Sequence, residues 1–173
     1  DNLNPVTLLL SQPGLVQLGW LDSPFIQTHD QSGHAELYMV ENQNVLIAVL
    51  TEDQDDVELV NSTLRDAGHP AHCHWVKSDE DFKQVLGDNQ IELIILNCDK
   101  YKDAVRQVVK QKDAYQPEVP VLAMQHSVDE EHILDVMKQG ACDLVSTQNR
   151  ERLHIVVTRE MRAYRIECAL NST

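Results

Sequence analysis

Short apolar runs alternate with amphipathic stretches from about residue 44 to the end of the chain. Apolar runs without polar interruption are typical of strands that are buried on both faces of a parallel sheet. Such strands are predicted at residues 45–50, 72–76, 91–96, 119–124 and 143–145. Apolar residues three and four positions apart predict a helix after each strand, at residues 55–67, 79–86, 101–112, 129–139 and 149–170.

The alternation of strands and helices predicts the fold class. Strand–helix–strand units with short loops form right-handed crossovers, which place the strands parallel in one sheet with helices on both faces. We therefore predict an α/β, doubly wound, flavodoxin-like (CheY-like) domain with a five-stranded parallel sheet in the order 2-1-3-4-5. In this class the working site lies at the carboxyl ends of the strands.

Residues 1–43 do not follow this alternation and form an N-terminal extension of unknown structure. Prolines and glycines separate its apolar stretches, which lie at residues 8–10, 15–21 and 36–40. Such a segment could form a small hairpin, or an arm packed on the domain or on a second copy of the chain. The predicted organisation is an extension (1–43), a domain (44–158) and the end of the last helix (159–173).

Charge and hydropathy exclude several classes of partner. The net charge of −14 opposes binding to nucleic acid or to an anionic membrane, since both are polyanions. No apolar run approaches the roughly 20 residues that a helix needs to cross a bilayer, and the sequence shows no secretory signal. The chain begins at Asp1 without a Met, so it could be a fragment of a longer protein.

The cysteines predict a reducing, cytoplasmic location. They are scattered without a CxxC pair, which fits free thiols better than disulfides: Cys73, Cys98, Cys142 and Cys168. Cys98, next to Asn97, could be a redox-sensitive thiol. A reactive cysteine needs an electropositive setting, however, and the nearby acids Asp99 and Glu52 supply the opposite.

Three histidines, His69, His72 and His74, concentrate potential metal ligands. On a strand, His72 and His74 share one face and Cys73 lies on the other. A zinc site needs a closed tetrahedral set of ligands, and the sequence offers no second cluster. We therefore favour polar decoration of a sheet edge, and predict no metal and no other cofactor.

Several stretches of the domain resemble the receiver (CheY-like) family of response regulators. They are Thr51-Glu52-Asp53, Asn97, Val119-Pro120-Val121 with Gln125, and Gly140-Ala141-Cys142-Asp143. Two shorter stretches are similar to the degenerate receiver that begins FimX-type proteins, namely Arg65-Asp66-Ala67-Gly68 and Glu151-Arg152-Leu153. In those proteins the receiver precedes GGDEF and EAL domains of cyclic-di-GMP signalling. The resemblance therefore implies further domains in the full-length chain.

The resemblance also implies which positions would carry phosphoryl transfer. In the family an aspartate at the end of the third strand accepts the phosphoryl group, and acids after the first strand hold Mg²⁺. A hydroxyl after the fourth strand and a lysine after the fifth contact the phosphoryl oxygens. In this chain the acceptor is Asn97, the acid positions are Thr51 and Glu52, and the other two are Gln125 and Thr147.

These departures imply a non-phosphorylatable pseudo-receiver, which is a protein–protein contact module and not an enzyme. An amide is a poor nucleophile, and a single carboxylate binds Mg²⁺ weakly. The alternative is a receiver with non-standard acids, in which Asp53 replaces Thr51 or Asp99 accepts the phosphoryl group. Both need altered backbone at the strand ends. A flavodoxin-like binder of small ligands ranks last, because the chain lacks a Gly-rich phosphate loop.

The last helix is the predicted interaction surface. Four of its side chains form a seam at spacings of four, four and three: Leu153, Val157, Met161 and Tyr164. The first part of the helix is expected to cover the sheet, and the part beyond Arg159 to project as a linker or a dimerising helix. The arginines of this segment suggest contact with a protein partner or a second copy. The family's usual output face is a second candidate, with Gln125, His126, Met137 and Lys138.

Overall fold

The computed structural model describes residues 26–30, 35–39, 46–100 and 103–171, with side chains in the last two ranges. The chain divides into two compact units, Asp1–Val45 and Leu46–Thr173. In the first unit β1 (Ile26–Asp30) pairs antiparallel with β2 (Ala35–Met39). The apolar stretch at residues 36–40 overlaps β2, whereas those at residues 8–10 and 15–21 lie outside the described residues.

The second unit contains the parallel sheet. Its strands are β3 (Leu46–Leu50), β4 (His72–Val76), β5 (Leu93–Asn97), β6 (Val121–Gln125) and β7 (Asp143–Ser146). They pair in the order β4-β3-β5-β6-β7, and every neighbouring pair is parallel. Counted within this unit, the order is 2-1-3-4-5, so the predicted flavodoxin-like fold is confirmed.

A helix follows each of these strands. The helices are α1 (Gln54–Asp66), α2 (Asp79–Asp88), α3 (Ala104–Asp113), α4 (Glu130–Gln139) and α5 (Arg150–Asn171). Helices α2, α3 and α4 pack on one face of the sheet, and α1 and most of α5 pack on the other. Alternate strand residues join different faces, so Ala48 packs with the first group and Ile47 with the second. Among the described residues, no helix is long and apolar enough to cross a membrane.

Short polar side chains begin three of the helices at the edge where the strands end. Ser78 accepts a hydrogen bond from the Asp81 N–H at 3.1 Å, as its position before α2 predicts. Asp53 and Asp129 occupy the same N-cap position before α1 and α4. Each bond satisfies an N–H group that has no partner within its helix, so these caps fix the loops around the site.

Some element boundaries differ from the prediction. Ile91 and Val119 are fully buried but precede the ladders, so the strands begin at 93 rather than 91 and at 121 rather than 119. Apolar burial marks where a segment packs, whereas a strand also needs its N–H groups in a ladder, and Pro120 has none. Helix α3 begins at Ala104 rather than at residue 101.

Gly140, which follows α4, is predicted to be far more sensitive to substitution than Gly87 within α2. Gly140 has a φ of 115°, and a Cβ there would lie 3.0 Å from Cγ2 of Val109. Gly140→Ala is therefore expected to lower the free energy of unfolding in urea by about 1–3 kcal/mol. Gly87 has open space around it, so Gly87→Ala is expected to be neutral or to stabilise by about 0.5–1 kcal/mol. Equal unfolding midpoints for the two variants would contradict this prediction.

Candidate functional site

The strands β3, β5, β6 and β7 end at one edge of the sheet, at the mouth of an open cleft of about 1160 Å³. The cleft continues between α2 and α3, where Phe82 and Val108 line it. The structure brings five residues of the predicted vestigial phosphorylation pocket to this cleft: Thr51, Glu52, Asp53, Asn97 and Thr147. Gln125, the sixth, donates from Nε2 to the Ser127 carbonyl oxygen at 2.6 Å and does not line the cleft.

A carboxylate that the sequence reasoning missed, that of Asp56, lies between Thr51 and Asn97. Its Oδ2 accepts hydrogen bonds from Thr51 Oγ1 at 2.6 Å and from Asn97 Nδ2 at 2.7 Å. Asp56 lies in the first turn of α1, three residues after the N-cap Asp53. An acid at that position commonly turns back to the N-cap backbone, so its place in the sequence does not distinguish a pocket residue from an ordinary helix-capping residue.

Thr51 and Asn97 are each held by further hydrogen bonds. Thr51 Oγ1 accepts from the Asp53 N–H at 3.1 Å, and its carbonyl oxygen accepts from Trp75 Nε1 at 2.9 Å. The Asn97 Oδ1 atom accepts from the Asp99 N–H at 2.8 Å. Asn97 therefore uses both ends of its amide group, one as a donor and one as an acceptor.

Asp53 and Asp99, the acids considered as replacements in phosphoryl transfer, both have structural partners. Asp53 Oδ1 accepts from the Asp55 N–H at 2.9 Å and so caps α1. Asp99 Oδ1 accepts from the His126 N–H at 3.0 Å and so connects the loop after β5 with the loop after β6. Recruiting either carboxylate to phosphoryl chemistry would disturb one of these hydrogen bonds.

Positive charge along the cleft comes from two loop lysines. Lys100 forms an ion pair with Glu52, and Lys77 Nζ lies 4.2 Å from the centre of a Trp75 ring. They are the only Lys or Arg residues among the described residues that line the cleft. Thr147, at the family's lysine position, carries no charge. A phosphoryl group here would meet the Asp56 carboxylate without a cation from that position.

His126 connects three of the loops at this edge. Besides its N–H bond to Asp99, its carbonyl oxygen accepts from Ser146 Oγ at 2.8 Å. Its ring atom Nδ1 lies 3.2 Å from Gln148 Nε2. The N–H of Thr147 also donates to the Gln125 carbonyl oxygen at 3.0 Å, which adds a third contact between the segments that end β6 and β7.

The cysteines and the three histidines considered as metal ligands, His69, His72 and His74, do not line the cleft. Burial raises the pKa of the Cys98 thiol to about 11, and burial raises those of Cys73 and Cys142 to about 12, so these thiols stay protonated at neutral pH. His69 stacks on His154, with ring centres 5.5 Å apart. Within residues 46–100 and 103–171, no three His, Cys, Asp or Glu residues are grouped so that they could hold a metal ion.

The seam of α5 faces the domain, which corrects its interpretation as an interaction surface. Leu153 and Val157 are buried against the sheet, Tyr164 is 7% exposed, and Met161 is partly buried. The Tyr164 hydroxyl accepts a hydrogen bond from Gln90 Nε2. These positions repeat along the helix because they fill the core, which produces the same spacing as a dimer seam.

The helix also stays on the domain beyond Arg159, where the sequence predicted that it projects. Arg165 Nε donates to Glu92 Oε2 at 2.9 Å, which anchors the helix at the start of β5. Tyr164 packs into the apolar cluster on the α2–α4 face. Cys168 packs against the same cluster, so the helix stays on the domain at least as far as that residue.

Four of the five arginines of α5 bind acids of the same domain, which weakens the argument that they contact a partner. Arg150 donates to Asp66 Oδ2 on α1 at 3.2 Å, and Arg152 and Arg159 both bind the Asp143 carboxylate. Burial acts to raise the pKa of Asp143. The Leu144 N–H and the two guanidinium groups outweigh burial, so the pKa of Asp143 lies below its ordinary value.

Apart from Tyr115 in the loop after α3, the large apolar side chains that are exposed among the described residues lie on other faces of the last two helices. Leu134 and Met137 on α4 are about half exposed, as are Ile155 and Ile166 on α5, and Leu170 is 70% exposed. Large exposed apolar side chains grouped on helices are typical of contact surfaces. Met137 belongs to the output face that the sequence proposed, and the four others were not predicted.

Comparisons with known proteins bear on the fold. No protein-family profile and no curated protein sequence matches the chain. It is similar in structure to a response regulator from Thermotoga maritima, with a TM-score of 0.60 and 18% identity over 69% of this chain and 98% of that chain. It is also similar to NtrX from Brucella abortus (TM-score 0.62, 19% identity, 75% of this chain), of which it spans only 29%. Another neighbour is a putative pilus assembly-related protein from Burkholderia pseudomallei (TM-score 0.55, 14% identity, 68% of this chain, 90% of that chain).

The domain that begins at Leu46 therefore has the fold of response-regulator receiver domains. At these identities the likeness shows the fold alone. What the domain does chemically rests on the side chains at the carboxyl edge of its sheet.

Removing the Asp143 carboxylate is expected to destabilise the domain in a pH-dependent way. Asp143→Asn removes the negative charge and one of the two oxygens that Arg152 and Arg159 share, which is expected to cost about 1–3 kcal/mol at pH 7. A lowered folded-state pKa stabilises above the unfolded-state value of about 4, and this contribution disappears as the pH falls through the folded-state pKa. The difference between wild type and variant in urea unfolding should therefore shrink from pH 7 to pH 3.

The control for this experiment is Glu58→Gln. Glu58 and Arg65 form an exposed ion pair at 3.6 Å, so the substitution is expected to cost less than about 0.5 kcal/mol at either pH. A loss in Asp143→Asn that is the same at pH 7 and pH 3 would show that the carboxylate charge is not what matters.

Proposed function

We propose that this chain is a pseudo-receiver, a receiver domain that does not accept a phosphoryl group and works by protein–protein contact in bacterial signal transduction. The observation that carries the proposal is the side chain at the acceptor position. Asn97 has no carboxylate there, and its amide donates to Asp56 at 2.7 Å. The domain is accordingly a contact module and not an enzyme.

The chemistry of the pocket supports this proposal. Phosphoryl transfer to a carboxylate needs an anionic oxygen nucleophile and a Mg²⁺ ion held by hard oxygen ligands. The Asn97 amide nitrogen has no free electron pair for attack, since that pair is delocalised into the carbonyl group. The acids nearby are engaged: Asp56 by two neutral donors and Glu52 by Lys100.

The alternative function, phosphoryl acceptance by Asp53 or Asp99, has less support. Asp53 would have to leave its cap on α1, which typically costs about 1 kcal/mol. Asp99 would have to release the backbone of His126. No contact of the described residues favours either step, so we rank this function second.

The proposed contact surfaces are the exposed apolar groups of α4 and α5. Leu134 and Met137 lie on α4 and Ile155 on α5, on either side of the edge strand β7. The partner is a second protein or a second copy of this chain. Because four of the five last-helix arginines bind acids of their own domain, apolar contact is the better candidate for the source of affinity.

We further propose a place for the domain in cyclic-di-GMP signalling. The support is the resemblance of short stretches such as Arg65–Gly68 to the degenerate receivers of FimX-type proteins. One structural neighbour is a putative pilus assembly-related protein, which is compatible with a role near pilus-based motility. The proposal includes GGDEF or EAL domains in the same full-length chain, and a cytoplasmic location.

Intact-mass spectrometry after incubation with acetyl phosphate and Mg²⁺ tests the pseudo-receiver proposal. We expect no phosphoryl adduct on the wild type. We also expect none on Asn97→Asp. In that variant Thr51 still stands where the family has a second acid, and Thr147 still stands where it has a lysine. A phosphorylatable receiver under the same conditions is the positive control. A phosphoryl adduct on any wild-type aspartate, located by fragmentation, would overturn the proposal.

A further inference from the structure

The hydrogen bonds of the pocket join into one continuous path across the carboxyl edge of the sheet. Thr51 and Asn97 donate to Asp56, and the other end of the Asn97 amide accepts from the Asp99 N–H. The Asp99 carboxylate then accepts from the His126 N–H. Each of these contacts is between 2.6 and 3.0 Å long, so the path from α1 to the loop after β6 is made of well-formed bonds.

Asn97 suits the middle of this path because an amide has a donor and an acceptor. Its Nδ2 faces the Asp56 carboxylate and its Oδ1 faces the Asp99 N–H. An ionised aspartate has no hydrogen to give, so it would place two carboxylates at 2.7 Å and lose the link to α1. The residue that removes phosphoryl acceptance therefore also makes the path possible.

Asp99 fixes a backbone and not only a side chain. A side-chain donor can rotate away, but the His126 N–H moves only if the loop between β6 and α4 moves. The His126 carbonyl oxygen is bound in turn by Ser146 Oγ, and its ring contacts Gln148. The path thus reaches the loops that precede α4 and α5, the helices with the exposed apolar side chains.

We propose that Asp56, Asn97, Asp99 and His126 form an internal latch, which holds the loop between β6 and α4 in one position without a phosphoryl group. Asp99 is its positioning residue. This inference rests on the proposed function and adds what determines the state of the contact surface. Hydrogen bonds within the chain hold that surface in one state permanently. A partner would then recognise the domain without a phosphorylation signal.

Residue-level amide hydrogen exchange by NMR tests the latch. In Asp99→Ala the His126 amide is expected to exchange at least about tenfold faster than in the wild type, since it loses its acceptor. Asp99→Asn keeps an acceptor oxygen and is expected to stay within about threefold of the wild type. Asp103→Ala removes a neighbouring carboxylate that has no capping bond, and no change at His126 is expected. Unchanged exchange at His126 in Asp99→Ala would overturn the latch.

A second variant tests whether a change at Asn97 affects His126 through Asp99. Asn97 has no hydrogen bond to His126, but its Oδ1 accepts from the Asp99 N–H and so orients Asp99. Asn97→Ala removes this acceptor, and we therefore expect the His126 amide to exchange at least about threefold faster. Exchange at His126 equal to the wild type would overturn the coupling through Asn97. The acetyl phosphate assay on the same samples separates the two proposals. A wild-type adduct overturns the pseudo-receiver, whereas unchanged His126 exchange without an adduct overturns the latch alone.

Discussion

The carboxylate of Asp56 links the elements on which the candidate site depends. It accepts hydrogen bonds from the Thr51 hydroxyl, next to the end of β3, and from the Asn97 amide at the end of β5. One side chain of α1 therefore joins two strands of the sheet. A buried or half-buried carboxylate is stable only where donors satisfy it, and here neutral groups of the chain do so. In a phosphorylatable receiver that edge must stay open for a metal ion and a phosphoryl group. In this chain the side chain at the acceptor position, Asn97, is instead hydrogen-bonded to Asp56.

Charged side chains of the last helix are likewise paired within the domain. Asp143, at the start of β7, forms ion pairs with both Arg152 and Arg159. Arg165 forms an ion pair with Glu92, which lies just before β5. These pairs hold α5 along the domain, while Leu153 and Val157 fill the space beneath it. The basic character of the helix therefore contributes to folding. Exposed apolar side chains remain on α4 and α5.

The fold was predictable because it depends on a pattern that repeats along the chain. Apolar runs and helical spacing located the strands and helices, whereas the first ladder residues of β5 and β6 depended on register, which composition does not report. The site was predictable only where the resemblance assigned positions, as at Asn97. Asp56 lies 41 residues from Asn97 in sequence, and only the packing of α1 brings them together. The seam of α5 was predicted to be an interaction surface, and this was wrong because residues that pack into a core repeat at the same spacing as residues of a dimer contact.

Titration with beryllofluoride and Mg²⁺, followed by amide and side-chain NMR signals, tests the central claim most directly. Beryllofluoride imitates a phosphoryl group only where an acceptor carboxylate and a metal site exist. If Thr51 and Asn97 remain hydrogen-bonded to Asp56 and position 97 offers no acceptor carboxylate, the signals of Thr51, Asn97 and His126 will stay unchanged throughout the titration. Saturable shifts of these signals would show that the pocket still accepts a phosphoryl-like ligand, and would contradict the account.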